Sequence, residues 1–330
     1  MEKQVFILVF LCVGYMLNAQ IKGCTDPLSK NYNPEATIND GSCEYKQASV
    51  APILSVDLTD ETEETSGLIL WIDSLYTHND NTDINLYALD TVTGGVSRTI
   101  SLKGSVNKDW EDIAQDEDYL YIGDFGNNVG GNRTDLNILK VSKASLRDSL
   151  PQIEKIYFSY SNQEDLTKLK SNTTNFDCEA MVVSRDSIYL FTKQWSAKNT
   201  SLYALPKSAG NYTAKLKATF DVKGLITGAA YLEDKKLLVL CGYSGMVQPF
   251  FYLLYDFKDH DFFSGNKRKI IMDNMSFSQV EGIATLNGLD YFVTNEHLDR
   301  KPFINTTQSL HKFNLKEFLE NYIDAVKIKK

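Results

Sequence analysis

Five oxygen-bearing residues recur at matching places in this 330-residue chain: Ser66, Glu111, Glu179, Thr227 and Glu281. Each opens a similar string, a small or acidic residue and then apolar ones: Ser66-Gly67-Leu68, Glu111-Asp112-Ile113-Ala114, Glu179-Ala180-Met181, Thr227-Gly228-Ala229 and Glu281-Gly282-Ile283-Ala284. No His or Cys shares the position. Zinc asks for nitrogen or sulfur, whereas calcium accepts six to eight oxygens in a loose cage. Magnesium demands a tighter octahedron and holds on to its water. Three carboxylates brought to one point repel, so one keeps its proton or a cation joins them. The expectation is a calcium site made by these five residues. The alternative is that the glutamates accept hydrogen bonds from strand-end N–H groups and only shape a tunnel.

The elements that must carry these residues repeat with them. The string starts fall 45, 68, 48 and 54 residues apart. After each start comes a β-rich run: 70–80, 119–128, 188–195, 237–244 and 290–297. A third run follows at 85–90, 136–142, 201–206, 250–257 and 309–315, and a fourth at 97–102, 155–160, 215–222 and 268–273. Tyr, Leu, Ile, Val and Phe dominate these runs and suit a pleated, half-buried surface. Four strands in roughly 40–50 residues mark a propeller blade. The reading is therefore all-β, a five-bladed β-propeller over residues 48–330, with a six-bladed ring as the alternative. The long second spacing is an insertion near 162–175. The fifth unit lacks a fourth strand, and residues 52–58 are expected to supply it, closing the ring and removing open edges. Leu315, Phe318, Leu319, Tyr322 and Val326 recur at helical spacing after a capping Asn314, which predicts a helix over 314–327.

In such a ring the innermost strands line a central tunnel, and the ends of the second strands reach the same mouth as the string starts. That places His78, Asn79 and Asp80 there, with Asp124, Asn127, Asn128 and Arg133, then Thr192, Lys193 and Trp195, then Tyr243, and finally Asn295, Glu296 and His297. Rigid scaffolds concentrate binding residues on such loops. Asp80, Asp124 and Glu296 can act as general bases or further cation ligands, and His78 and His297 can move protons. For catalysis the candidates are Asp124, Asp80, Glu296 and His297, with Asp124 favoured because Gly123 and Gly126 hold backbone close to it. The plain alternative is ordinary turn chemistry. No Ser-His-Asp elbow or phosphate-cradling loop is present.

The start of the chain reads differently. Lys3, the apolar run 5–17 and Ala19 form a secretory signal over 1–19, too short to span a bilayer. Lys22 argues against lipid attachment at Cys24. Residues 20–47 form an Asx-rich module in which Cys24 and Cys43 are read as one disulfide closing a small loop in an oxidising compartment. Inside it Asp26, Asn31, Asn33, Asn39 and Asp40 offer oxygens for a second cation or, equally, build plain turns. Cys178 and Cys241 read as buried thiols. With 43% hydrophobic residues and net charge −9, the chain is foldable and acidic, which disfavours nucleic acid as a partner.

The order Ser, Glu, Glu, Thr, Glu, with Tyr119-Leu120-Tyr121-Ile122-Gly123 and Val280-Glu281-Gly282-Ile283, resembles the calcium-activated nucleotidases, five-bladed apyrases of secreted fluids. That resemblance implies an axial calcium on Ser66, Glu111, Glu179, Thr227 and Glu281. The run from Asp109 to Arg133 also resembles a group of bacterial secreted propellers of unassigned activity, and the cysteine-bracketed module is similar to thrombospondin type 3 repeats. A polyphosphate pocket asks for several cations, and this face offers few: Lys193, Arg133, Arg300 and Lys301. Three functions follow as expectations: a secreted calcium-binding module with its ligand, a small molecule or extracellular partner, at the tunnel mouth; a calcium-dependent extracellular phosphohydrolase; or a scaffold gripped by proteins.

Overall fold

The computed structural model describes residues 20–148 and 150–328, so the expected signal at 1–19 lies outside the described residues. Five antiparallel four-stranded blades follow one another. Blade one is Thr65–Trp71, Ser74–Asn79, Asn85–Leu89 and Val96–Ser101. Blade two is Trp110–Gln115, Tyr119–Asp124, Asn137–Ser142 and Ile153–Tyr160. Blade three is Cys178–Val183, Ser187–Thr192, Thr200–Pro206 and Gly210–Phe220. Blade four is Leu225–Leu232, Leu237–Tyr243, Pro249–Tyr255 and Asn266–Met272. Blade five takes Val280–Thr285, Asp290–Asn295 and Ser309–Asn314 from the end of the chain and Leu54–Asp57 from its beginning. Asp57 pairs with Ser309 and Leu54 with Lys312, so the closing strand is the one expected. The innermost strands pack one against the next around a full circle, the fifth against the first. No strand forms between Tyr160 and Cys178, which leaves 162–175 as an irregular excursion and sets aside the six-bladed alternative.

Burial explains the composition of each strand. The second strand of blade four, Leu237–Tyr243, is buried at every position because blades cover both its faces. The outer strand Ile153–Tyr160 alternates exposed and buried residues, as a one-sided strand must.

Every innermost strand carries a bulge at its string start. In blade two Trp110 pairs with Asp124 and Asp112 with Gly123, so Glu111 is extra. Glu179, Thr227 and Glu281 are the extra residues in blades three, four and five. In blade one, Ser66 and Gly67 together fall between the pairs Thr65–Asn79 and Leu68–Thr77. A bulge bends the strand and re-aims the side chain it carries. The small residue after the start in blades one, three, four and five is explained by the ring itself: a Cβ on Gly282 would sit 2.5 Å from the Ser66 carbonyl oxygen of the neighbouring blade.

Two pairings go beyond the expected pattern. Ala48–Val50 runs parallel to Asn266–Met272 as a fifth strand of blade four. Gly210–Phe220 starts earlier than the expected 215–222 and pairs in parallel with Ile153–Tyr160, fusing blades two and three. Both additions cover strand edges that would otherwise template aggregation. The helix is Lys316–Ile328, with Asn314 Oδ1 accepting from the Lys316 N–H at 3.1 Å. Its Phe318, Leu319 and Ile323 pack against Leu237, Tyr255 and Phe313. Each fully buried side chain of this size contributes roughly 1.5–3 kcal/mol.

The cysteine-bracketed module holds the Cys24–Cys43 disulfide and a short parallel ladder, Lys22–Gly23 with Ile38–Asn39. It docks on blade four: Asp26 Oδ2 accepts from the Tyr45 and Tyr255 hydroxyls at 2.7 and 2.5 Å. The residues expected to offer oxygens to a second cation take part in turns and loop closure. Asp26, Asn31, Asn33, Asn39 and Asp40 each accept a backbone N–H, from Leu28, Glu44, Glu35, Gly41 and Ser42 in turn. Four of these bonds are Asx turns two residues on, while Asn31 closes the loop to Glu44.

Candidate metal centre at the tunnel mouth

The bulges bring Glu111 and Glu179 together with Asp177. One carboxylate oxygen from each of the three lies within 4.8 Å of the others, and all three residues are buried. Calcium–oxygen distances of about 2.3–2.6 Å put two ligands of one ion at most about 5 Å apart, so this spacing fits a single shared cation. Asp177 is held in place by the Asn127 N–H at 2.6 Å on one oxygen and the Trp195 indole N–H at 2.6 Å on the other. Gly126 packs its backbone against this group; a Cβ there would collide with the Glu111 and Asp109 carboxylates.

Glu281 is 5% exposed and lines the same cavity of about 280 Å³ as Glu111 and Glu179. Its Oε2 is buried without a hydrogen-bond partner. Such an orphaned carboxylate oxygen costs free energy unless something outside the chain meets it. Lys193 meets Glu179 Oε2 at 3.0 Å, and its ammonium lies over the rings of Trp195 and Tyr243 at 4.8 and 5.4 Å.

The acids outnumber the cation, and their affinity for protons shows it. Burial raises Glu111, Asp177 and Glu281 well above the carboxylate range, with Glu179 repelling the first two and Lys193 opposing the shift at Asp177 and Glu281. Glu179 is pushed up to about 7 by burial, although Lys193 opposes the shift. Asp109 rises to about 7 through burial and the nearby Asp177. Burial disfavours the Lys193 ammonium, yet Glu179 and Glu281 hold its pKa well above the usual value. A divalent cation would relieve most of this repulsion at once.

A second acidic trio, Glu64, Asp80 and Glu296, stands at the rim, its oxygens also within 4.8 Å of one another. Burial and then Glu296 lift Asp80 to about 8, while burial lifts Glu296 to about 7 against the pull of Lys193. Asp80, Asn128, Lys193, Trp195, Tyr243 and Glu296 line the cavity, joined by Asn172, Lys198, Gln279 and Arg300.

Other expected residues have different work. Ser66 Oγ donates to the Glu111 carbonyl and Thr227 Oγ1 to the Val280 carbonyl, each at 2.5 Å, so these hydroxyls tie blade to blade. Asp124 is ion-paired with Arg133 at 2.9 Å, and Arg133 also donates to the Gly126 carbonyl, so this pair braces the 124–133 loop, and neither of its side chains lines the cavity that Asn128 of the same loop reaches. Asp124, the catalytic candidate favoured by the sequence, is thus placed in an ion pair and away from the cavity lining. His78 is fully buried edge-on to Trp110. Asn79 Nδ2 donates to the Glu61 carbonyl, Asn127 Nδ2 to the Phe176 carbonyl, and Asn295 Nδ2 to the Thr307 carbonyl. Thr192 Oγ1 accepts from the Ser201 N–H. His297 gives its backbone N–H to the Glu63 carbonyl and does not line the cavity.

Asp109 and Asp177 were missed, as were Glu64 and Gln279. Their signal was available: each stands two residues before a string start, in Glu64-x-Ser66, Asp109-x-Glu111, Asp177-x-Glu179 and Gln279-x-Glu281.

No protein-family model matches the chain, and no curated protein is similar to it in sequence. Among solved structures it is similar to the PQQ-bound aldose sugar dehydrogenase of Streptomyces coelicolor, at 11% identity and TM-score 0.47 over 80% of this chain and 98% of that one. It is also similar to a glucose dehydrogenase, at 11% identity and TM-score 0.46 over 78% and 98%, and to the WD40 repeats of RRP9, at 9% identity and TM-score 0.41 over 82% and 100%. The chain shares with them the β-propeller fold.

Proposed function

We propose that this protein is an extracellular calcium-binding propeller whose ligand site is the tunnel mouth. The observation that carries the reading is the buried group of Glu111, Asp177 and Glu179, with one carboxylate oxygen of each within 4.8 Å of the others. The donor set is oxygen only, which favours calcium over zinc. A resident ion would neutralise the mouth and polarise an oxygen of a bound ligand. The Cys24–Cys43 disulfide supports an oxidising compartment, and among the described residues no helix is long and apolar enough to cross a membrane.

The test is a calcium titration of chelator-stripped protein followed by thermal unfolding. Saturating calcium to about 100 times its Kd stabilises by about 2.7 kcal/mol, a rise in Tm of roughly 4 °C for a chain of this size. An unchanged Tm overturns the reading.

A hydrolytic role is favoured by one further feature. Asp80, raised to about 8, lines the same cavity and can carry a proton near neutral pH. Calcium-dependent phosphate release from phosphoesters, abolished in Asp80→Asn, would establish it over simple binding.

A further inference from the structure

We propose that Lys193 is a resident counter-ion that competes with the calcium ion for Glu179, and that Glu281 is the second acceptor of its ammonium rather than a calcium ligand. This rests on the calcium reading above.

Four observations converge on it. Lys193 follows directly on the second strand of blade three, and its backbone N–H donates to the Asp177 carbonyl at 2.7 Å, so the base of the side chain is anchored inside the acidic group. Its Nζ contacts Glu179, one of the three residues of the cation group, at Oε2 and 3.0 Å, with both side chains no more than 5% exposed. An ammonium and a divalent ion on one carboxylate in a low-dielectric cavity repel strongly, whichever of its oxygens each one takes. Glu281 offers an oxygen that no group of the chain meets, in the same cavity.

The aromatic walls make the exchange feasible. Trp195 and Tyr243 flank the ammonium with ring faces, which favour a cation without fixing it to one direction. The lysine stem is flexible and its charge is a point, so it can turn from one carboxylate to another without a matched geometry. Lys193 stays in the cavity with its charge when it turns to Glu281, and so lowers the affinity of the site for calcium.

The experiment is calorimetric titration of calcium into the full chain after chelator treatment, for wild type, Lys193→Met, Glu281→Gln and the double variant. Removal of the competing charge should tighten calcium binding by about tenfold or more. Glu281→Gln should weaken binding in the wild-type background and have a much smaller effect beside Lys193→Met. Circular dichroism confirms that each variant is folded, and Glu281→Gln keeps the test open should Lys193→Met fail to fold. Equal or weaker calcium affinity in Lys193→Met overturns the proposal. So does an equal loss from Glu281→Gln in both backgrounds, which would make Glu281 a direct ligand. If wild type and Lys193→Met both bind no calcium, the calcium reading itself fails, which is a distinct outcome from binding that is indifferent to Lys193.

Discussion

The Lys193 ammonium lies 3.0 Å from Glu179 Oε2, with the two side chains 5% and 3% exposed. The pair joins the second strand of blade three to the bulge of its innermost strand. Among the described residues, it is the ion pair that reaches the group of Glu111, Asp177 and Glu179.

Breaking this pair from its two ends should not cost the same. Lys193→Met leaves Glu179 beside Glu281 and Asp177 with no positive charge, and breaking a buried pair typically costs about 3–5 kcal/mol. Glu179→Gln leaves Lys193 with Glu281 still near, so its cost in chelator should be about 1 kcal/mol or less. Urea unfolding of both variants measures this, and equal losses would contradict the asymmetry.

Ion-free protein should lose stability as pH rises from 6 to 8.5. Asp80 at about 8 and Asp109, Glu179 and Glu296 at about 7 bind protons more tightly folded than unfolded. Their contribution is complete below the unfolded carboxylate range near pH 4 and is lost as pH climbs through 7–8. Tm in chelator should therefore fall across that window, and calcium should flatten the slope. A chelator Tm that rises with pH there would refute the electrostatic account of the mouth.

Two glycines of the same mouth should behave oppositely. A Cβ on Gly126 collides with the Glu111 and Asp109 carboxylates, whereas Gly245 has open space around its Cβ position. Gly126→Ala should lower stability by about 1–3 kcal/mol and reduce the calcium-induced rise in Tm. Gly245→Ala should leave both within about 0.5 kcal/mol of wild type.

Loss of the closing strand should open the ring. Deleting residues 20–57 removes Leu54–Asp57 and strips Ser309–Asn314 of its partner, Leu310 losing its pairing with Val56. Blade five would then expose an unpaired strand edge. Size-exclusion chromatography should show aggregated or expanded material, and a compact monomer would mean that the strand is dispensable.

Much of this architecture can be read before any coordinates. Ser66, Glu111, Glu179, Thr227 and Glu281 mark the five blades because each innermost strand must turn at the same mouth, and the glycines behind Ser66, Thr227 and Glu281 let the next blade approach. The missing fourth strand of the last unit calls for residues 52–58, since an open sheet edge is costly. Hydrophobic alternation separates buried middle strands from outer ones in the same way.

What the ring decides is which side chains actually meet. Local pattern assigns a residue to a face, but a bulge re-aims it, and only closure of five blades sets distances across the axis. Ser66 and Thr227 therefore spend their hydroxyls on neighbouring carbonyls, although they occupy the same repeat position as the glutamates. Asp177 joins Glu111 from another blade, and Asp124 turns outward to Arg133. Sequence alone determined the repeat, its closure and its acidic oxygens, because these follow from local periodicity and from the need to pair every strand. The choice among those oxygens, and the placing of Lys193 between them, came from contacts between residues far apart in the chain, which no local spacing encodes.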